Sequence, residues 1–351
     1  MLKRHFYYYL LKPYLPWRMR MALRRIVAGW KRRKYRAVWP INESASRTPN
    51  DWPGWPDGKK FAVVLTHDVE GPDGLARCRQ LAELEMTLGF RSSFNFIPEG
   101  SYAVPAELRS WLTDHGFEVG VHDLRHDGKL YASQANFRRY AQRINHYLDA
   151  WKAAGFRSGF MHYHQEWLHD LNVKYDASTF DTDPFEPQPD GVGTIFPFWV
   201  PAPDDNGQGH RGTRFVIEYN DRDRAPSGRP FSASPLPPAP APARAGYVEL
   251  PYTLPQDSTL FLLLKELTGD IWHRKLDWIA RHGGMALINV HPDYLHLKSP
   301  GPGSTPTAGD HYAELLGYLT RSYGNTFWHV LPRDMAAFVH QWKDRAALSR
   351  L

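Results

Sequence analysis

The chain has 351 residues, 42% hydrophobic and 14% aromatic, with a formal net charge of +6, enough apolar material for one large α/β domain or two ordinary ones. Its single cysteine, Cys78, excludes an intramolecular disulfide and any cysteine-based zinc cluster. No uninterrupted apolar run reaches the ~18 residues of a membrane span, and the first residues lack the apolar core and cleavage site of a secretory signal, so a cytoplasmic protein is expected.

The charge is concentrated at one end. Residues 1–36 hold twelve Lys and Arg and no acid, while the remainder carries more acids than bases. With Tyr, Trp, Leu and Met interleaved, this basic arm suits peripheral contact with an anionic membrane or packing as a solvated helix on the domain. Nucleic acid is not the expected partner. Pro13 and Pro16 argue against one long helix before Arg18. Pro- and Trp-rich coil over 37–60 then reads as a strap across a surface.

From Phe61 onward, strand-like and helix-like stretches alternate. Strands are expected at Phe61–Thr66, Ser92–Ile97, Phe117–His122, Val173–Phe180, Arg214–Tyr219, Tyr247–Tyr252, Met285–His291 and Thr326–Leu331. Helical patterns lie at Leu75–Leu88, Pro105–His115, Gln134–Ala153, Ser258–Leu267, Ile271–His282, Thr307–Tyr323 and Arg333–Lys343. Pro105 and Pro332 suit helix starts, and the glycines at 89, 116, 155 and 283 suit helix ends. Repeated β-then-α units over 61–345 predict a parallel sheet or barrel. A segment with seven prolines, 225–246, interrupts the alternation as an extended insertion.

Chemically capable residues gather where strands end. Asp68 and Glu70 follow the first strand, and His122 and His126 follow the third. Asp181 and Asp183 follow Tyr175–Phe180, and His291 and Asp293 terminate Met285–His291. In β/α barrels the loops at the carboxyl ends of strands converge on one rim, so residues far apart in sequence share a pocket. Two imidazoles four residues apart can reach one divalent ion, and two His plus one carboxylate leave a coordination position open. With 17 histidines in the chain some close pairs arise by chance, so position after a strand is what gives this pair weight.

These segments, in order, resemble the polysaccharide deacetylase family (carbohydrate esterase family four). The family's Thr-Phe-Asp-Asp-Gly is similar to Thr66-His67-Asp68-Val69-Glu70, and its His-Ser/Thr-x-x-His to His122-Asp123-Leu124-Arg125-His126. Its arginine loop is similar to Gly155-Phe156-Arg157-Ser158-Gly159, its Asp-rich aromatic motif to Asp181-Thr182-Asp183-Pro184-Phe185, and its strand ending in histidine to Leu287–His291. The resemblance implies a distorted (β/α) barrel of about seven strands. It also implies a metal-dependent hydrolase that removes N-acetyl (or O-acetyl) groups from an amino-sugar glycan, with zinc as the metal and nickel or cobalt as alternatives.

By the same resemblance Asp68 is the general base, Arg157 its orienting partner, and His291 the acid, for which a pKa near neutrality is suitable. Metal ligands would be Glu70, His122 and His126, and substrate contacts Asp181, Asp183, Asp293 and Tyr294. The chain departs from the family at Val69, where a ligand aspartate is expected. Residues two apart on a strand face one side, so Glu70 is expected to take that role, with Asp68 as the fallback. Position 123 is Asp where the family has Ser or Thr, and the third motif lacks the family's prolines. Three other readings stay open: a metal-independent cyclic-amide hydrolase on the same fold, an inactive carbohydrate-binding protein, and an all-helical phosphohydrolase of the HD type.

Overall fold

A computed structural model describes residues 17–202, 246–295 and 306–348. Among these, the strands are β1 (Phe61–Val69), β2 (Ser93–Phe96), β3 (Glu118–His122), β4 (Gly155–Arg157), β5 (Tyr175–Asp176), β6 (Phe198–Pro201), β7 (Gly246–Glu249), β8 (Met285–Val290) and β9 (Phe327–His329). The helices are α1 (Trp17–Lys34), α2 (Pro72–Thr87), α3 (Ala106–Asp114), α4 (Gln134–Trp151), α5 (Asp270–His282), α6 (Ala308–Tyr323) and α7 (Pro332–Leu348).

β1 is buried along its whole length, as a parallel strand covered on both faces must be. Its residues Ala62–His67 pair with β8. Its other edge is shared end to end, β9 pairing with Phe61–Val63 and β2 with Thr66–Val69. Beyond β2 the order runs β3, β4, β5, β7, all parallel, with β6 antiparallel on β7. The curled sheet is bridged toward β8 by isolated hydrogen bonds rather than a full ladder. The Thr253 and Leu254 amides both donate to Leu287 O (2.9 and 3.1 Å). Thr253 Oγ1 donates to Met285 O (2.7 Å) and accepts from Leu287 N (2.9 Å). The result is a distorted (β/α) barrel, which excludes the all-helical phosphohydrolase.

The departures from expectation have local causes. β4 and β6 were not expected as strands, because three or four residues are too few to establish a period of two. β5 keeps two residues of the expected Val173–Phe180. Beyond it Ser178 turns back on Asp176, its N–H and Oγ donating to the carboxylate at 2.9 and 2.7 Å, and pairing resumes only at Phe180 with Tyr252. The expected helix at Ser258–Leu267 is a π-helical turn, Ser258–Leu263. The expected strand Arg214–Tyr219 and the Pro-rich insertion up to residue 245 lie outside the described residues.

Glycines 89, 116 and 283 stand at helix ends with φ of 83°, 83° and 69°, the left-handed conformation that favours glycine. Gly155 does something else. Helix α4 ends at Lys152, itself left-handed, and Gly155 opens β4, where a Cβ would stand 1.9 Å from Cζ of Tyr175. That ring crosses the strand so that its hydroxyl donates to Glu118 Oε1 (2.8 Å). Gly155→Ala is therefore expected to displace Tyr175 and cost about 1–3 kcal/mol, read as a lowered Tm.

The coil before β1 packs on the barrel. Trp39, Ala45 and Trp55 are buried, and Trp52 sits edge-on to Trp55, Phe196, Phe338 and Trp342. Trp55 Nε1 donates to Gly283 O (2.7 Å) just before β8, so this part of the coil covers the end where strands begin. The opposite end is left to the functional groups.

Candidate active site

Alternation along β1 sorts its polar end. Thr66, Asp68 and Glu70 turn to one side, toward β8 and β4 partners. His67 turns to the other, where its ring lies 2.8 Å from Glu85 and packs on Phe94. Val69, buried in the core, shares that second side, and Glu70 reaches the cavity in its place.

Asp68 is held by its neighbours. Asn95 Nδ2 donates to one carboxylate oxygen (3.0 Å) and Asn289 Nδ2 to the other (2.8 Å), with Arg157 Nε at 3.5 Å. Burial would raise its pKa, but the Arg157 guanidinium, the His122 and His291 rings and the Asn95 hydrogen bond hold the carboxyl well below the usual carboxylate range. Asp68 is therefore ionised at neutral pH. Arg157 lies behind it, fully buried, its Nη2 donating to Thr66 Oγ1 (2.9 Å).

His122 ends β3 directly opposite Arg157 in register. Its Nδ1 lies 3.1 Å from the Arg157 carbonyl. A carbonyl only accepts, so Nδ1 carries a proton and donates to it. That Nε2 is buried and has no hydrogen-bond partner. His126 follows through a turn in which Asp123 and His126 both have left-handed backbone, φ 55° and 53°. Its ring stacks on Phe160 with centroids 4.4 Å apart. Phe160 and Met161 are left-handed as well, at 59° and 51°. Four such non-glycine residues beside one cavity, at ~1–3 kcal/mol each, persist only where the surroundings dictate them.

Glu70, His122 and His126 offer ligand atoms that all lie within 4.8 Å of one another. Burial and the His122 ring lower the His126 pKa to about 4, leaving it neutral with a free lone pair. For Glu70, burial is outweighed by His291, His126 and His122, so its carboxyl is lowered and ionised. Two imidazoles, one with an orphaned buried nitrogen, and one carboxylate are a donor set that fits a divalent ion.

His291 stands beside this trio, Nε2 3.9 Å from Glu70. Its Nδ1 is 2.6 Å from Asp257 Oδ1, and its backbone N–H donates to Asp257 Oδ2 (2.9 Å). Burial would lower its pKa, but Asp257, then Glu70 and Asp68, raise it to about 10. The near-neutral value expected from sequence is thus displaced by a carboxylate that sequence reasoning had not included.

These groups line a cavity of about 390 Å³, together with Tyr294, Phe160, Gln256 and, from α1, Met21, Arg24 and Arg25. Tyr294 donates to Glu70 Oε2 (2.7 Å). The other three residues expected at the substrate do not line it. Asp181 is buried against Lys275, whose Nζ lies 2.9 and 2.8 Å from its two oxygens. Asp183 accepts from Phe185 N and Tyr252 Oη (2.9 and 3.0 Å). Asp293 accepts from Glu70 N (2.8 Å) and Gly74 N (3.2 Å), fixing the start of α2 and the backbone of Glu70. All three are strand-end acids; Asp181 and Asp183 are buried in the body of the protein, while Asp293 is half-buried. Trp167 packs on Tyr131 and Phe137, and Trp199 on His340.

Sequence reasoning missed Asp257, Asn95, Asn289 and the α1 wall. Asp257 had a signal, an acid immediately before a helical pattern, which is the capping position; here its Oδ1 accepts from Ser258 N (2.8 Å). The two asparagines lie inside apolar strands and carry no spacing of their own.

No model of a known protein family matches the sequence, and no curated protein matches it. Solved structures do match the fold. One is a Mycobacterium smegmatis protein assigned as a polysaccharide deacetylase, with TM-score 0.56 at 15% identity over 84% of this chain and 96% of that one. A Pseudomonas aeruginosa PAO1 protein assigned likewise gives 0.54 at 13%, over 84% and 95%. PuuE allantoinase gives 0.53 at 14%, over 86% and 98%. The chain has the polysaccharide deacetylase type of (β/α) barrel.

Proposed function

We propose that the cavity hydrolyses the N-acetyl (or O-acetyl) group of an amino-sugar glycan with a divalent metal held by Glu70, His122 and His126. The observation that carries this is the convergence of those three ligand atoms, with Asp68 and His291 on the same cavity wall. A divalent ion in that cradle supplies Lewis-acid polarisation of the scissile carbonyl and a more acidic water.

The chain's own residues do the rest. Asp68, ionised and fixed between Asn95 and Asn289, accepts the proton of the attacking water as general base. Arg157 is a positioning residue that keeps Asp68 charged from behind, and its carbonyl sets the His122 tautomer. His291, oriented through Nδ1 by Asp257, presents Nε2 toward Glu70 and the cavity and gives a proton to the departing amine. Tyr294 holds Glu70 rather than stacking freely on a sugar.

The test is acetate release from a panel of N-acetylated and O-acetylated saccharides. Release is expected, and it should vanish with a chelator and return with zinc, nickel or cobalt. Chelator-insensitive turnover of a cyclic amide in place of acetate release would move the protein to the metal-independent class. Glycan affinity without any release would make it a binding protein.

A further inference from the structure

We propose that helix α1 and the rim of the cavity form one docking surface for an anionic lipid bilayer. The cavity then takes an amphiphile, an acylated amino sugar whose anionic link to lipid lies against Arg24 and Arg25. The choice of substrate rests on the amide-hydrolysis reading above; the docking does not.

Exposed apolar residues are concentrated in one place. Among the described residues the large hydrophobic side chains left exposed are Met19, Leu23, Ile26, Val27 and Trp30 of α1, together with Phe160, Leu262 and Leu267. Phe160 and Leu262 line the cavity, and Leu267 follows Glu266, the ion-pair partner of Arg32 of α1. Scattered apolar residues are ordinary on a protein surface; a set carried largely by one helix marks an interaction surface.

The helix is built to face two ways. Positions 19, 23, 26, 27 and 30 fall on a single stripe at helical spacing. Met21 and Ala28, both buried, and half-buried Arg25 fall on the opposite side and meet the body. Arg25 Nη2 donates to Leu262 O (3.1 Å) and Lys31 Nζ to Pro184 O (2.6 Å). The apolar stripe therefore points away from the protein, with Ile26 71% and Trp30 59% exposed.

Charge chooses the occupant. The last turn of α1 is Lys31, Arg32, Arg33 and Lys34, and residues 1–36 hold no acid. Basic residues flanking a protruding Leu, Ile, Val and Trp stripe complement an anionic headgroup layer over acyl chains. Nucleic acid would leave the stripe in water. Contact is peripheral, because no described helix is long and apolar enough to cross a membrane.

The cavity adjoins this helix, since Met21, Arg24 and Arg25 line it together with Glu70, His122 and His126. Arg25 Nε is buried without a hydrogen-bond partner, a donor suited to an oxyanion. A sugar joined to lipid through phosphate would bring that oxyanion to the arginines as its amide reaches the histidines.

The full chain is to be sedimented with vesicles of equal phosphatidylglycerol and phosphatidylcholine, and with phosphatidylcholine alone. Binding to the first and not the second is expected, weakened by salt. A triple variant, L23S/I26S/W30S, altered only where side chains face solvent, should lose at least tenfold in vesicle binding. It should keep wild-type acetate release from a soluble N-acetylglucosamine oligosaccharide, which also reports that it is folded. On a long-chain N-acetylglucosaminyl phosphate embedded in the vesicles, the wild type should be at least tenfold faster than the variant.

No binding to anionic vesicles, or equal binding by the variant, overturns the docking, as does a dimer through α1 that ignores vesicles. Soluble sugar turned over with no vesicle bound leaves the hydrolase and removes this inference. Vesicles bound through α1 with neither sugar deacetylated upholds the docking and overturns the substrate together with the hydrolase.

Discussion

Asp68→Asn is expected to lower acetate release by about 10²–10⁴-fold while leaving bound metal at its wild-type level. The direction follows from how the side chain is held. Both carboxylate oxygens are occupied by asparagine amides, and Arg157 stands behind them. The three mutually close ligand atoms belong instead to Glu70, His122 and His126. The proposed base and the proposed ligand thus stand two positions apart, and the variant tests that separation. Metal content by elemental analysis and turnover on the same preparation decide it. If metal is lost along with activity, Asp68 is a ligand and Glu70 loses its assigned role. If turnover stays within a few-fold of wild type, the base lies elsewhere. Glu70→Gln should show the converse pattern, with metal affinity falling first and activity restored in part by excess metal.

Much of this arrangement is legible in the sequence because it rides on strands. A parallel strand buried on both faces has to be an apolar run, so Phe61–Leu65 and Met285–Ile288 announce themselves, and the polar residues just after such runs mark the rim. Asp68, Glu70, His122, His126 and His291 were all found this way, and the structure places all five on one cavity. The same rule gives no direction. Asp181 and Asp183 also follow a strand-like run, yet they turn inward to Lys275 and to Tyr252. Which way a strand-end acid points is decided by the partner across the fold, and that partner, Lys275, lies 94 positions away. Short elements were lost for another reason. β4 has three residues, too few to show a strand's period, and the space Gly155 leaves for the Tyr175 ring has no signature in sequence. The α1 wall was invisible because a basic arm looks the same whether it trails in solvent or roofs a cavity.

The inward turn of Asp181 leads to the second large effect. Lys275→Met is expected to destabilise the protein by about 3–5 kcal/mol, a large part of the 5–15 kcal/mol that ordinary domains possess. Lys275 is 1% exposed, and methionine keeps much of its apolar stem while removing the ammonium between the Asp181 oxygens. Burial pushes the Asp181 carboxyl up to about 6 even with Lys275 drawing it down, so without the lysine it rises further. A carboxyl whose folded pKa lies above its unfolded value near 4 favours folding while protonated and loses that contribution as pH rises through the folded pKa. The variant should therefore be more stable at pH 5 than at pH 8, by denaturant titration, whereas a loss independent of pH would mean that packing and not charge had been damaged. Adding Asp181→Asn should recover part of the loss, since the buried charge is then gone. Asp181→Asn alone should lower stability and leave KM unchanged; a raised KM with unchanged stability would return Asp181 to the substrate, against its burial beneath α5.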